Sequence, residues 1–428
     1  PNRPFWPSSR STRVSTATAA GTLQTGQSWS YRLVAGADTD SADASGLLTT
    51  AALAANTGNF TLAANTFTRT GTGNIDIAAA GKVDLASGAV VYTAGRPDTT
   101  PLANFTAPLS GFRPSYPLDG GDLSIVARGD IVSAQPSLCT GTPSVCALGQ
   151  QVVTDWLWRF GEYATGSNQR YLTWYPRFDL FKQGVGALGG GDVRVVAGGN
   201  INNFSVSLPT NGRMPDIASH GNSVPITPDL ANLRVQGGGD MTVIAGGDIN
   251  SGVYYLGAGK GSILAGGSLG SNLMVSRPST VSLDAISAKP LYTILAVGDG
   301  QLDVIAGDSI SVQTVMNPTV FPVVPDNAKA SSNGLVNSSR ISNFFTYAPD
   351  SAVNLKAIAG DINLENTNGA IEASSARFNP FRSISNNVLY TPSLYFSNVY
   401  VPTLRVVTMQ GGVLANPFTL YPAPRGQL

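Results

Sequence analysis

Short runs of alternating apolar and polar residues recur along the chain, and each run ends in a glycine-rich turn that contains Asp or Asn. Strict alternation places every second side chain on the same face of a β-strand. The apolar spacing of three and four residues that marks an amphipathic helix is missing from these runs. The pattern therefore predicts short strands between tight turns. The clearest copies read GDLSIVARGDIVS from Gly121, GDVRVVAGGNINN from Gly191, GDMTVIAGGDINS from Gly239 and GQLDVIAGDSISV from Gly300.

One such unit cannot bury its apolar face alone, but stacked copies can share a continuous core. We therefore expect Val193, Val195, Met241 and Val243 to face one interior. This repetition predicts an all-β fold, a right-handed parallel β-helix built from short coils with loop insertions.

The spacing of the copies indicates the length of one coil. Aligned on the alanine before the turn, Ala245, Ala265 and Ala306 are 20 and then 41 residues apart, which we interpret as one and two periods of about 20. We expect about 10–15 coils, and at about 4.8 Å each a rod of roughly 50–70 Å. Glycine and Asp or Asn suit the corners, where positive φ or side-chain bonding to the backbone is needed.

The repeats also divide the chain. We expect an extended lead-in or linker over 1–27 and one continuous β-helix over 28–428, with insertions near 135–185, 203–232, 313–350 and 374–400. Because the chain starts at Pro1 and neither end resembles a polar cap, we expect an internal piece of a longer protein. Stacked asparagines are expected to form amide ladders; the candidates are Asn200, Asn250 and Asn363.

Composition excludes several classes of function. Charged residues make up 12% of the chain, and 26 basic residues balance 26 acidic ones, so no long-range field would attract nucleic acid or an anionic membrane. The chain has no uninterrupted apolar stretch of about 18 residues, so we expect no membrane-spanning helix. We expect no cofactor and no metal site: zinc would need more ligands than the two cysteines and His220, the only histidine, and the Gly-Asp turns lack the tandem nine-residue spacing of calcium-binding repeats.

The two cysteines lie close together in the sequence. Cys139 and Cys146 are separated by six residues that include Gly141 and Pro143, which suits a small loop closed by a disulfide. Such a bond would imply an oxidising compartment. The alternative is a pair of free thiols.

Aromatic residues are concentrated in the insertion from about Val152 to Phe181. Exposed Trp and Tyr side chains stack on sugars or contact protein partners, so this insertion is a candidate binding or self-contact surface. The alternative, which we favour, is a small core that holds the insertion against the rod. The candidate residues are Trp156, Trp158, Tyr163, Tyr171, Trp174 and Tyr175.

The repeats resemble the filamentous haemagglutinin-like exoproteins of two-partner secretion in Gram-negative bacteria. The resemblance extends over most of the chain and includes SWSYRLVAGAD from Ser28, RYLTWYPRFDLF from Arg170 and PTLRVVTMQGGV from Pro402. It implies a right-handed β-helix, export through an outer-membrane secretion partner, and adhesion or fibre formation at the cell surface. Implied partners are other copies of the chain and glycans or surface proteins of other cells. The family's N-terminal secretion domain is not present, so the resemblance concerns the shaft.

The alternative function is a β-helical polysaccharide-active enzyme, a lyase or a hydrolase. Such an enzyme needs acids clustered for acid–base chemistry. Here the acids recur at the turns, as in Asp122, Asp192 and Asp240, and His220 has no evident triad partners. We therefore expect no catalytic residues. The tripeptide Arg128-Gly129-Asp130, which integrins read, sits in the repeat register, where turn chemistry explains it.

Overall fold

The computed structural model describes most of the chain, and it is all-β. In the described residues there is no α-helix; 3₁₀ turns occur at Thr50–Ala52, at Val153 and at Phe178–Leu180. The described ranges are 23–43, 46–102, 115–134, 137–140, 145–148, 151–153, 156–163, 170–214, 233–270, 274–278, 286–290, 293–319, 321–323, 342–366, 399–424 and 426.

These residues form 37 strands, most of them short. In chain order they are β1 (Tyr31–Ala35), β2 (Phe60–Leu62), β3 (Phe67–Thr70), β4 (Ile75–Ala79), β5 (Val83–Leu85), β6 (Val90–Thr93), β7 (Arg96–Pro97), β8 (Pro117–Leu118), β9 (Leu123–Ala127), β10 (Ile131–Ser133), β11 (Ser137–Thr140), β12 (Val145–Leu148), β13 (Leu157–Tyr163), β14 (Arg170–Pro176), β15 (Gly184–Ala187), β16 (Val193–Ala197), β17 (Ile201–Asn202), β18 (Val206–Leu208), β19 (Thr210–Met214), β20 (Arg234–Gly237), β21 (Met241–Ala245), β22 (Ile249–Asn250), β23 (Gly252–Ala265), β24 (Leu269–Gly270), β25 (Met274–Pro278), β26 (Ile286–Pro290), β27 (Thr293–Ala306), β28 (Ile310–Val312), β29 (Thr314–Met316), β30 (Phe321–Val323), β31 (Ser342–Phe344), β32 (Ala352–Ala357), β33 (Ile362–Leu364), β34 (Val399–Tyr400), β35 (Thr403–Thr408), β36 (Val413–Ala415) and β37 (Thr419–Leu420).

Most strands pair in parallel, in rows. The first row contains β1, β4, β9, β16, β21, the second half of β23, the second half of β27, β32 and β35. A second row is the nine-stranded sheet β2-β5-β10-β17-β22-β24-β28-β33-β36. The third row contains β3, β6, β15, β18, the first halves of β23 and β27, and β29. Because β23 and β27 run from the third row into the first, these two rows form one 14-stranded sheet that nearly closes on itself.

The first row defines nine levels, which we number one to nine from β1 to β35. Residues at equivalent positions pair across each step, as Ala197 pairs with Ala245 and Ala265 with Ala306. The interpretation of the 41-residue spacing as two periods is therefore wrong, since Ala265 and Ala306 are one step apart and the hairpin β25–β26 lies between them in sequence. The next first-row strand, β32, aligns with β27 through Ala357, which pairs with Ala306. Nine levels span about 38 Å, less than the expected rod length.

A single apolar core lies between the rows. From β4 to β32 every second residue of a first-row strand is buried, and Val193, Val195, Met241 and Val243 are all at most 1% exposed within that core. The alternation in the sequence therefore places these four side chains where it predicts. The expected all-β fold with parallel strands is confirmed.

Glycine at the first corner is required by the close approach of successive levels. A Cβ on Gly246 would overlap the carbonyl oxygen of Gly198, and a Cβ on Gly266 would overlap that of Gly246. At the next residue of each turn an added Cβ would collide with a side chain instead of backbone. A Cβ on Gly247, for example, would overlap Oδ1 of Asn200. The repeated Gly-Gly pair thus follows from backbone packing and from the side chains stacked beside it.

Candidate functional site

The aromatic insertion packs against the outer surface of the third row. Trp156, Trp174 and Tyr175 are 3%, 0% and 2% exposed. Trp156 and Trp174 lie in a second apolar cluster that also contains Tyr92 and Phe181. Three of the six residues proposed for a binding or self-contact surface are therefore buried inside the chain, and the favoured alternative of a small core describes their environment.

Specific contacts hold these rings. The Trp156 ring meets Phe181 edge to face with 5.1 Å between ring centroids, and the Tyr92 ring stacks on Phe178 at 5.9 Å. The indole Nε1 of Trp174 donates a hydrogen bond to Oγ1 of Thr210 at 3.2 Å. These contacts link the insertion to β19 and to the third row.

The segment VVTDWLWRFGEY forms strand β13 over Leu157–Tyr163. β13 and β14 pair antiparallel, with Trp158 opposite Tyr175 and Glu162 opposite Tyr171, and β19 and β20 extend them to a four-stranded sheet. The side chains of Trp158, Tyr163 and Tyr171 lie outside the described part of the structure. Their proposed role as a surface stays a prediction.

The cysteine pair lies in a hairpin. Cys139 on β11 and Cys146 on β12 are direct partners in an antiparallel register. The structure describes the backbone of these two cysteines but not their side chains. The disulfide bond therefore stays a prediction. His220 and most of the insertion near 374–400 fall outside the described ranges.

Acidic residues line one corner of the levels in a continuous ladder. Oδ1 of Asp122 accepts a hydrogen bond from the backbone N–H of Asp192 at 2.9 Å, Asp192 accepts from Asp240 at 2.8 Å, and Asp240 accepts from Lys260 at 2.8 Å. Each carboxylate thus binds a backbone donor one level further on. These periodic acids hold the turns together.

A second ladder follows the next corner and corrects the expected asparagine stack. Asp130, Asn200 and Asp248 each accept the backbone N–H of the following level, at 2.7, 2.7 and 2.8 Å. Asn250 donates instead to Asn202 at 3.1 Å, and Asn363 pairs with Ser311. The predicted ladder of Asn200, Asn250 and Asn363 is therefore wrong, because Asn200 lies in another column, and Gly270 and Ser311 separate Asn250 from Asn363 in theirs.

The Arg-Gly-Asp tripeptide lies in this second ladder. Asp130 is one of its members, and Nη2 of Arg128 donates to the carbonyl oxygen of Leu47 at 3.0 Å. Both side chains therefore have structural partners within the chain.

The side chain of Asp98, beside the hairpin β7–β8, is 2% exposed. Its Oδ2 lies 3.0 Å from Arg213 Nη2 and 3.1 Å from Arg234 Nη2, and Gln236 donates to it at 2.7 Å. Burial acts most strongly and would raise the pKa of Asp98, but hydrogen bonds from Thr100 and Gln236 and the charge of Arg234 together outweigh it and lower the pKa to about 2. This cluster fastens β19 and β20 to the loop after β7.

An open cleft of about 500 Å³ lies next to this cluster. Its walls are Leu118, Asp119, Arg234, Gln236 and glycine backbone at positions 120, 189–191 and 237–238. Asp119 is paired with Arg96 at 2.5 Å. The walls offer the carboxylate of Asp119, the guanidinium of Arg234, the amide of Gln236 and backbone groups as hydrogen-bonding partners.

Among the described residues, no group of three or more His, Cys, Asp or Glu side chains is arranged to hold a metal ion. In the same part of the chain no helix has the length and apolarity needed to cross a membrane. Comparison of the chain with family models, with curated proteins and with solved structures gives no match.

Proposed function

We propose that the chain is a right-handed parallel β-helix that forms a structural and adhesive segment of a secreted bacterial surface fibre, without catalysis. One observation carries the proposal, namely nine levels of in-register parallel strands around a single apolar core. A stack of this kind can be lengthened by adding levels, which suits a filament. Parallel strands in one sheet are almost always connected by right-handed crossovers, which favours that hand.

The end levels support continuation of the stack. Tyr31 and Leu33 occupy the columns of the buried Ile75 and Ile77, yet they are 44% and 36% exposed. At the other end Val413 follows the buried Ile362 and is 52% exposed. Uncovered core positions and unpaired strand edges favour association with further strands. We propose that further levels of the same fibre cover them.

The use of the acids favours a structural role over the enzyme alternative. Asp122, Asp192 and Asp240 accept backbone hydrogen bonds from the next level, so they serve in turns that repeat along the stack. A lyase or hydrolase would instead need acids gathered at one place beside a substrate groove. No observation in the described residues favours that alternative.

The resemblance to filamentous haemagglutinin-like exoproteins supplies the remainder of the proposal. The chain would be secreted with an outer-membrane secretion partner and displayed at the cell surface. Its binding partners would be other copies of the chain and glycans or surface proteins of other cells. A disulfide between Cys139 and Cys146 would fit an oxidising compartment outside the cytosol.

Negative-stain imaging of the source cells, with antibodies against this chain, tests the proposal. We expect antibody along long, uniform threads that extend from the cells. Labelling confined to isolated short rods or globules in the medium would contradict a fibre. The purified chain should release no new reducing ends or unsaturated products from a panel of polysaccharides, and release would favour the enzyme.

A further inference from the structure

The outer surface of the first row is an exposed sheet face with an ordered arrangement of side chains. At levels three to seven the outward positions alternate with the buried ones, and the third outward position is apolar at all five of these levels. Leu264 is 39% exposed, and its neighbours in the column are partly exposed. The apolar column consists of Val126, Val196, Ile244, Leu264 and Ile305.

A strip without side chains lies beside this column. The fourth outward position is glycine at levels four to seven, at Gly198, Gly246, Gly266 and Gly307. The apolar side chains therefore stand above a flat border. Such a surface suits close packing of another flat sheet, since two sheets pack about 10 Å apart when their side chains interdigitate.

Three pairs of charges at the first two outward positions are symmetric about the midpoint between levels five and six, whereas Asp122 and Asp192 are mirrored by the uncharged Ala352 and Gln301. Asp240 at level five is mirrored by Lys260 at level six. Arg194 at level four is mirrored by Asp303 at level seven. Asp76 at level two is mirrored by Arg405, which is exposed at level nine. Each of these three pairs has opposite signs.

We infer that this face binds a second copy of the chain, antiparallel, about a two-fold axis that runs along the strands between levels five and six. Ile244 then faces the partner's Leu264, and Val196 faces the partner's Ile305. Arg194 faces the partner's Asp303, and Asp240 faces the partner's Lys260. An isologous interface of this kind has an apolar centre and charged edges, the usual arrangement of protein interfaces.

The charges favour this alignment of the two copies over alignments that are shifted by one level along the stack. A shift by one level in one direction sets Asp240 against the partner's Asp240 and Arg32 against the partner's Arg405, and its one attractive pair, Asp192 with the partner's Lys260, replaces the three opposite-charge pairs of the proposed register. A shift in the other direction sets Lys260 against the partner's Lys260. Like charges in contact oppose association, so each shifted register is disfavoured.

The size of the face is sufficient for a specific dimer. Levels two to nine extend over about 34 Å, and the four outward positions extend over about 20 Å along the strands. The footprint is therefore roughly 700 Å² per copy, near the roughly 800 Å² per partner of standard interfaces. The inference rests on the proposed function in that it names the lateral neighbour of a fibre segment.

Sedimentation velocity of the purified full chain, over a range of concentrations, tests the inference. We expect a dimer at about 50 µM that dissociates on dilution. Leu264→Asp should raise the dissociation constant at least about tenfold, because it buries a charge in the apolar centre. The matched control is Val235→Asp, an apolar residue with 45% exposure on β20, away from this face, and it should change nothing.

A charge exchange provides the decisive comparison. Arg194→Asp and Asp303→Arg should each weaken the dimer roughly five- to tenfold, since each sets like charges opposite each other. The double variant Arg194→Asp/Asp303→Arg should restore the dissociation constant to within about threefold of the original. Circular dichroism should show all variants folded, because these side chains are exposed.

The outcomes separate the two proposals. A chain that stays monomeric at about 50 µM, or a double variant no tighter than the single ones, overturns the antiparallel dimer, while labelled threads on cells would still support the fibre. A dimer that behaves as expected, with no threads on the source cells, supports the dimer and contradicts the fibre.

Discussion

Gly246 lies against the main chain of Gly198, 48 residues earlier, so closely that a Cβ on Gly246 would overlap the Gly198 carbonyl oxygen. Its N–H donates to the carbonyl oxygen of Ala197 at 2.9 Å. The same relationship recurs one level further on, where Gly266 lies against Gly246. Glycine at this corner thus allows successive levels to lie as close together as neighbouring strands of a sheet.

Substitution of Gly246 by alanine should therefore destabilise the fold. The added methyl group must displace backbone on the preceding level, so we expect a loss of about 1–3 kcal/mol in the free energy of unfolding. Urea denaturation followed by circular dichroism measures it. The control is Gly412→Ala, whose Cβ would lie 3.7 Å from Asp361 Oδ1 as its nearest contact. Equal effects of the two substitutions would contradict the packing argument.

The acidic ladder predicts a difference between two substitutions of Asp192. Asp192→Ala removes the acceptor for the N–H of Asp240 and should cost about 1 kcal/mol. Asp192→Asn keeps an amide oxygen at that place and should cost less, as Asn200 fills the equivalent position in the second ladder. Thermal unfolding compares them. An asparagine variant as unstable as the alanine variant would show that charge, and not the acceptor, matters.

The Asp98 cluster predicts acid sensitivity. Because the folded-state pKa of about 2 lies below the unfolded value, the ionised carboxylate stabilises the fold above about pH 4, and this contribution is lost as the pH falls towards 2. Asp98→Asn should lower the unfolding free energy at pH 7 by about 2 kcal/mol. Urea denaturation between pH 2 and 7 should show this difference shrinking at low pH. A difference that stays constant with pH would contradict the assignment.

The buried aromatic cluster predicts that one tryptophan is structural and another is not. Trp174→Ala should cost about 3–5 kcal/mol or release the insertion, because the ring is fully buried and packs over Gly212. Trp29→Ala should change stability by less than about 0.5 kcal/mol, since its side chain is 89% exposed. Limited proteolysis and thermal unfolding distinguish them. Rapid cleavage of the insertion is expected in the Trp174 variant alone.

The sequence predicts the strands and their buried faces well, and the pairing of the levels poorly. Alternation at Val193 and Val195 is a local signal, and it identifies core positions directly. Which residue lies above which depends on the lengths of insertions between strands, and those lengths carry no local signal. For this reason the sequence predicts that Ala265 and Ala306 lie two periods apart and that Asn250 shares the column of Asn200, and the structure shows neither.

The aromatic cluster shows a second limit. Trp156 and Trp174 are equally suited by composition to an exposed surface and to a buried one, so the choice depends on what faces them. The outer side of the third row supplies that partner through Tyr92 and Leu188. The run VVYTA from Val90 is the sequence signal for this burial, because apolar residues on both faces of a strand indicate that both faces are covered.

The central claim is that successive first- and second-row strands rise one strand spacing per level. Double electron–electron resonance between spin labels tests it most directly, in a variant that lacks Cys139 and Cys146 and is diluted with unlabelled protein. Labels at Thr61 and Leu414, on levels one and nine of the second row, should be about 38 Å apart, and labels at Asp84 and Leu414 about 34 Å. Distances that are equal, reversed in order or much shorter would contradict a stacked column.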